Sequence, residues 1–107
     1  MTDEELATLV REQLEPLPVT ARGMFGGRGL YLEGKFFGAI FGGKLYFRTD
    51  EESRPEYVKR GMPALQPPPH RPRGPKTVDR NFEVPAEVLA DGRLLKEWAE
   101  RAAAAKR

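Results

Sequence analysis

The side chains best suited to catalysis are scarce in this chain and lie far apart in the sequence. It has one serine, Ser53, one histidine, His70, and no cysteine. Ser53 lies in a charged segment and His70 in a proline-rich one, so nothing in the pattern joins them as a nucleophile and its base. Zinc sites draw on several histidines, cysteines or clustered carboxylates. We therefore expect no enzymatic activity, no metal site and no cofactor.

Three glycines in the stretch MFGGRG, residues 24–29, could form a phosphate-binding loop. A dinucleotide-binding loop needs G-x-G-x-x-G after a strand and at the start of a helix, whose N-terminus receives the pyrophosphate. Here Gly27 and Gly29 precede the strand-like run LYL, and the third glycine is missing. A P-loop is excluded because the later GK is not followed by serine or threonine. We interpret Gly26 and Gly27 as a turn between two strands.

Basic side chains are the remaining chemistry of the chain. The net charge is only +2, but residues 59–80 carry six lysines and arginines against one acid. Tyr31 and Phe82 could stack on nucleic-acid bases if they face outward. No helix-turn-helix or other recognition element is readable. The nucleic-acid alternative therefore rests on the following basic residues: His70, Arg71, Arg73, Lys76 and Arg80.

Helical periodicity predicts a helix near each end of the chain. Thr2 and Glu5 match a capping box, and the apolar stripe that follows ends at Pro16. A short turn over 85–89 precedes a last helix that Asp91 caps. We expect residues 103–107 to form a frayed tail. The predicted apolar face of the last helix consists of Leu94, Leu95, Trp98, Ala99 and Ala102.

A short middle helix is predicted over residues 51–60. Asp50 is its predicted cap and Gly61 ends it, although Pro55 favours a start near Ser53. Residues 62–76 contain six prolines and form the least structured part of the chain. A strand is predicted after them, over 77–84.

From Val19 to Arg48 the hydrophobic period becomes that of strands. Tight hairpins are predicted at Glu33-Gly34-Lys35 and at Gly42-Gly43, the second because consecutive residues with positive φ favour glycine. Gly38 predicts a bulge or the close approach of another backbone. Four antiparallel strands are predicted, at 20–25, 28–33, 35–41 and 44–48. In the third strand, simple alternation places Phe37, Ala39 and Phe41 on one face and Phe36 and Ile40 on the other.

The resulting order is α-β-β-β-β-α-loop-β-α, which indicates an α+β fold. We predict one domain, residues 1–107, with a largely antiparallel sheet of about five strands flanked by N-terminal, middle and C-terminal helices. Apolar residues on both sheet faces point to a homodimer, to a protein partner, or to helices on both sides. Ten prolines and twelve arginines, with no cysteine, one asparagine and two glutamines, suggest a heat-adapted source.

An ordered set of motifs runs through the chain: R-x-MFGG-x-GLY (22–31), GKFF (34–37), LYFRTD (45–50), FEVP (82–85) and LKEWA (95–99). This set resembles the N-terminal domain of the TfoX/Sxy family. The resemblance implies an antiparallel sheet flanked by helices and supplies no catalytic residues. Founding members of the family are bacterial regulators of natural competence, thought to act with a cyclic-AMP-responsive activator at promoters. They carry a second, helical C-terminal domain, and this chain ends at Arg107, so we expect a stand-alone N-terminal domain.

Taken together, the sequence predicts a non-enzymatic, cytoplasmic bacterial domain that acts through protein–protein contacts as an accessory to transcription. No apolar run is long enough to span a bilayer, and the N-terminus lacks the features of a signal peptide. The expected partner is a protein, with the transcription machinery as its class. Weakly specific nucleic-acid binding and a small-molecule-binding or enzymatic domain are the alternatives. The predicted binding surface is the glycine turn: Arg22, Met24, Phe25, Gly26, Gly27 and Arg28.

Overall fold

A computed structural model describes residues 2–24, 26–66 and 80–106 of the chain. These residues form a single antiparallel sheet and four helices, in the predicted order, so the α+β assignment is confirmed. The elements are α1 (Asp3–Leu14), β1 (Val19–Met24), β2 (Gly27–Leu32), β3 (Lys35–Phe41), β4 (Lys44–Arg48), α2 (Arg54–Lys59), β5 (Asn81–Glu83), α3 (Ala86–Leu89) and α4 (Gly92–Ala103).

Side-chain caps fix the starts of the two long helices, as predicted. At α1 the Thr2 hydroxyl accepts from the Glu5 amide at 3.0 Å, and the Glu5 carboxylate accepts from the Thr2 amide at 2.9 Å. At α4 the Asp91 carboxylate accepts from the Arg93 and Leu94 amides at 3.0 and 3.2 Å. Both caps satisfy amide donors that have no partner inside the helix.

The middle helix is shorter than predicted. It begins at Arg54, with Ser53 as its N-cap residue. The Asp50 carboxylate instead accepts from the Ser53 amide at 2.9 Å, so it caps the turn that precedes the helix. The predicted end is confirmed, because Gly61 has a φ of +72° and the Met62 amide donates to the Tyr57 carbonyl. This pattern is a Schellman motif.

The sheet has the strand order β1-β2-β3-β4-β5, and each strand is antiparallel to its neighbour. The two predicted tight hairpins are confirmed: φ is +51° and +82° at Glu33 and Gly34, and +59° and +77° at Gly42 and Gly43. Positive φ at both loop residues belongs to the turns whose twist matches the flanking strands.

The first hairpin is placed one residue earlier than the sequence predicted. Met24 pairs with Gly27, so Gly27 belongs to β2 and Gly26 lies in the turn. Gly26 has a φ of +83°, which suits a glycine in a turn. Gly27 is needed for a different reason: a Cβ there would collide with the Ile40 carbonyl oxygen on β3. The prediction that Gly26 and Gly27 together form the turn is therefore wrong.

A bulge in β3 changes which of its side chains share a face. Leu30 pairs with Gly38 whereas Tyr31 pairs with Phe36, so Phe37 is the extra residue. Phe37 and Ile40 consequently join the same buried core, whereas Phe36 packs on the opposite side. The predicted alternation along β3 is wrong, while the bulge predicted from Gly38 is confirmed.

The main core lies between one face of the sheet and the helices α1 and α4. Sheet residues such as Leu30, Phe37 and Phe47 are fully buried there against Val10 of α1 and Leu95 of α4. Its other buried members are Leu6, Ala7, Leu14, Val19, Ile40, Leu45, Tyr57, Val84, Val88, Trp98, Ala99 and Ala102. Helix packing therefore covers one face of the sheet, which we call the inner face.

The outer edge of β5 is covered by part of the proline-rich segment. Ala64 forms an isolated antiparallel bridge with Phe82, and the Leu65 amide donates to the Asn81 carbonyl at 2.7 Å. Within the described residues β5 begins at Asn81, later than the predicted strand over 77–84. The first residues of that predicted strand, like most of the predicted loop, fall outside the described residues.

Candidate functional site

The face of the sheet that does not pack on α1 and α4 carries a second apolar cluster. We call it the outer face. Ala39, Tyr46 and Leu65 are its buried centre, and Phe36 and Phe41 pack against them half-buried. In the described part of the chain no helical residue belongs to this cluster. The outer face is therefore apolar at its centre without being part of the main core.

An arginine and two aromatic rings form one end of the outer face. The Arg22 guanidinium lies 5.2 Å from the centre of the Tyr31 ring, and that ring meets Phe36 edge to face at 5.7 Å. Arg22 pairs with Gly29 on β2, whose missing side chain leaves room for the guanidinium to reach Tyr31. Such a contact stabilises by about 0.5–1 kcal/mol at an exposed site. It holds the positive charge at the surface, beside two half-buried rings.

The other end of the outer face carries a neutralised pair of charges. Lys44 and Glu83 approach to 3.8 Å on β4 and β5. Burial raises the pKa of Tyr46 between them, and the negative charge of Glu83 adds to this effect. Tyr46 is therefore a neutral hydroxyl at physiological pH. Arg22 has no acidic partner among the described residues.

The strand β1 is an edge of the sheet with open backbone groups. Among the described residues only β2 pairs with it. The Val19 amide donates to Leu17 at 2.9 Å, so it points away from β2. Because backbone groups alternate sides along an antiparallel strand, those of Ala21 and Gly23 also point to the free edge. Both residues are small, and Gly23 is exposed.

The structure distributes the predicted glycine-turn residues over both faces of the sheet. Arg22 lies on the outer face, whereas Arg28 pairs with the core residue Ile40 and so lies on the inner face. Gly26 is exposed at the turn, and Gly27 is buried against β3. Met24 is described through its pairing with Gly27, and Phe25 lies outside the described residues.

Most of the predicted nucleic-acid set lies outside the described residues: His70, Arg71, Arg73 and Lys76. Arg80 is described and exposed, and its carbonyl accepts from the Thr49 amide and hydroxyl. Of the two predicted stacking residues, Tyr31 lies on the outer face. Phe82 packs on the main core, with its ring 6.0 Å from that of Tyr57. The inward position of Phe82 removes it as a stacking platform.

Two clefts lie beside α2 and α4. The one lined by Tyr57 and Trp98 has a volume of about 10 Å³, which suits roughly one water molecule, and the neighbouring one, lined by Asp50, Ser53 and Lys106, has a volume of about 300 Å³. Burial raises the pKa of the Tyr57 hydroxyl in the smaller cleft, and the nearby Arg101 guanidinium opposes this effect. The Ser53 hydroxyl accepts from the Asp50 amide at 3.0 Å. Within the described ranges no three His, Asp or Glu residues are placed to hold a metal ion.

The pairing of Tyr31 with Phe36 was missed by sequence reasoning, although a signal for it existed. Once the loop residues of the Glu33-Gly34 hairpin are fixed, Leu32 pairs with Lys35 and Tyr31 with Phe36. Directly opposed residues of antiparallel strands share a face. Counting outward from that hairpin would have placed both rings together.

Comparison with known proteins identifies a family. The family model described as the TfoX N-terminal domain matches residues 12–106 of the 107 residues, which confirms the resemblance drawn from the motifs. A search of curated proteins gave no match. Over the part of the chain that is described, no helix has the length and apolar character needed to cross a membrane.

Proposed function

This chain belongs to the TfoX N-terminal domain family, and we propose that it works as a non-enzymatic protein-binding module. The observation that carries the proposal is the outer face, a sheet face to which α1 and α4 contribute nothing. Protein interfaces typically combine an apolar, aromatic centre with a polar rim. On the outer face the half-buried rings of Phe36 and Phe41 lie beside the buried centre, and the exposed Arg22 lies at the rim.

The charges of the outer face define the partner that it fits. Lys44 forms an ion pair with Glu83, whereas Arg22 lies over Tyr31 with no carboxylate partner in the described part of the chain. The complementary surface is apolar and carries an acidic residue where it meets Arg22. We place that partner among proteins of the transcription machinery, because the motifs resemble those of competence regulators. Arginine and aromatic residues are also the types that most often dominate binding energy at interfaces.

Affinity capture with paired variants tests this proposal. Arg22→Glu reverses the charge at the rim, and Phe36→Ser removes a ring from the apolar surface. Each has a matched control: Arg93→Glu on the exposed side of α4, and Val58→Ser, whose side chain is 59% exposed on α2. Thermal unfolding of all four variants ensures that only folded proteins are compared.

The expected result is that one or more proteins captured by the wild type are lost with both outer-face variants and kept with both controls. With a purified partner, we expect Arg22→Glu to weaken binding by about tenfold or more. Equal capture by all variants would remove the outer face as the binding surface. Salt-steep binding of DNA between about 50 and 200 mM salt, without a protein partner, would favour the nucleic-acid alternative instead.

A further inference from the structure

The open edge of β1 has backbone groups that an additional strand can pair with. The amides and carbonyls of Ala21 and Gly23 point outward, as the bond from the Val19 amide to Leu17 establishes. The opposite edge of the sheet differs, because Ala64 and Leu65 already pair with β5. Edge strands of this kind accept extended peptides as added strands in many recognition domains.

Two arginines lie beside this edge, one on each face of the sheet. Arg22 is on the outer face, fixed over Tyr31. Arg28 is on the inner face, across from Gly23, and a Cβ placed on Gly23 would lie 3.9 Å from Arg28 Nη1. Because Gly23 has no side chain, the Arg28 guanidinium borders the space next to the edge. Successive side chains of an added strand point to opposite faces, so two adjacent carboxylates would reach the two arginines.

We infer that the β1 edge binds an extended acidic segment of a partner protein as an added antiparallel strand. In this arrangement the partner residue opposite Gly23 points its carboxylate toward Arg28, and the next residue points its carboxylate toward Arg22. The residues opposite Gly23 and Ala21 exchange backbone hydrogen bonds with β1. This inference rests on the proposed protein-binding function and assigns the way in which the partner chain is held.

A second copy of this chain meets a repulsive contact in one symmetric register of the edge. That register pairs Ala21 of one copy with Gly23 of the other and places the two Arg22 side chains directly opposite each other. Like charges in this position destabilise a strand pair. In this register the charge of Arg22 disfavours self-pairing and favours an acidic partner.

A synthetic peptide tests the inference directly. The probe is Ac-Thr-Val-Glu-Glu-Val-Thr-NH2, whose third, fourth and fifth residues would lie opposite Gly23, Arg22 and Ala21. N-methylation of the third or fifth residue removes a hydrogen bond to β1, so we expect binding to weaken by about tenfold. N-methylation of the fourth residue, whose amide points away from β1, should leave binding within about twofold. Replacing both Glu residues by Gln should weaken binding by about tenfold or more.

Hydrogen exchange supplies an independent readout. Without peptide, the amides of Ala21 and Gly23 should exchange faster than that of Arg22, which pairs with β2. With saturating peptide, the first two should become protected. The inference is overturned if the affinity of the peptide does not depend on which residue is N-methylated, or if no binding is seen at about 1 mM peptide. The inference is also overturned if both amides are protected in the free protein and this protection increases with protein concentration, because a second copy then occupies the edge.

Failure of this inference can be distinguished from failure of the proposed function. If Phe36→Ser abolishes partner capture while N-methylation has no effect, the outer face binds the partner and the edge does not. If the peptide binds with the expected N-methylation pattern while Phe36→Ser leaves capture intact, the edge acts without the outer face. Each result removes one claim and leaves the other standing.

Discussion

Gly38 is a position where a single added methyl group should clearly damage the sheet. It lies in β3 beside the bulge, and a Cβ there would be 2.5 Å from the Tyr46 carbonyl oxygen and 3.0 Å from Phe47 Cδ1. Ordinary contacts of a Cβ begin near 3.4 Å. To accommodate alanine, β3 and β4 must separate by a large fraction of an ångström. That movement strains their hydrogen bonds and displaces Phe47 from Phe37, whose ring centre is 5.6 Å away.

We expect Gly38→Ala to lower the free energy of unfolding by about 3 kcal/mol, the upper part of the range for overpacked positions. For a domain of this size, the melting temperature would fall by roughly 12–20 °C. The control is Gly34→Ala in the second hairpin, where φ is +82° and no atom lies within 4 Å of a Cβ. There the cost is the left-handed backbone alone, about 1–2 kcal/mol.

Urea unfolding followed by the fluorescence of Trp98, the single tryptophan, measures both variants. The ring of Trp98 is buried in the main core against Tyr57, so it reports the loss of tertiary packing. If Gly38→Ala were no less stable than Gly34→Ala, the close contact between β3 and β4 would not exist as described.

Two further predictions concern polar side chains that hold chain ends and turns. The backbone amides of Ser53 and Lys106 donate hydrogen bonds to the Asp50 carboxylate and lower its pKa in the folded protein. The ionised carboxylate therefore stabilises the fold at pH values above the pKa of Asp50 in the unfolded chain. This stabilisation is lost as the pH falls through the lower pKa of the folded protein. In the Asp50→Asn variant the urea midpoint should therefore decrease less than in the wild type between about pH 5 and pH 3. Asp91→Ala should lower the free energy of unfolding by about 1 kcal/mol at pH 7, because α4 loses its cap. An unchanged urea midpoint for that variant would contradict the role of the cap.

The parts of the fold that could be predicted are those in which one residue type determines the backbone. Gly34, Gly42 and Gly43 mark hairpins because positive φ is tolerated there. The capping box of Thr2 and Glu5 and the end of α2 at Gly61 follow in the same way from local hydrogen bonding. In each case the signal lies within a few residues, and the structure agrees with it.

The parts that could not be predicted depend on register between strands. Placing the first turn at Gly26-Gly27 pairs residue 25 with Arg28, whereas the structure pairs Met24 with Gly27. The sequence grouped Arg22 and Arg28 into one surface because both flank the glycine turn, but alternation along the paired strands places them on opposite faces. The position of the bulge at Phe37 could not be predicted either, because only the pairing with the neighbouring strand shows which residue is the extra one.

Site-specific crosslinking tests the protein-binding role of the outer face most directly. The photoreactive amino acid p-benzoylphenylalanine would replace Phe36 in one variant and Val58, on exposed α2, in the other. We expect a discrete crosslinked protein from the Phe36 position, which Arg22→Glu should abolish and Arg93→Glu should leave unchanged. No such product should form from the Val58 position. Crosslinking that is the same from both positions, or is insensitive to Arg22→Glu, would contradict the proposal that this face binds a protein.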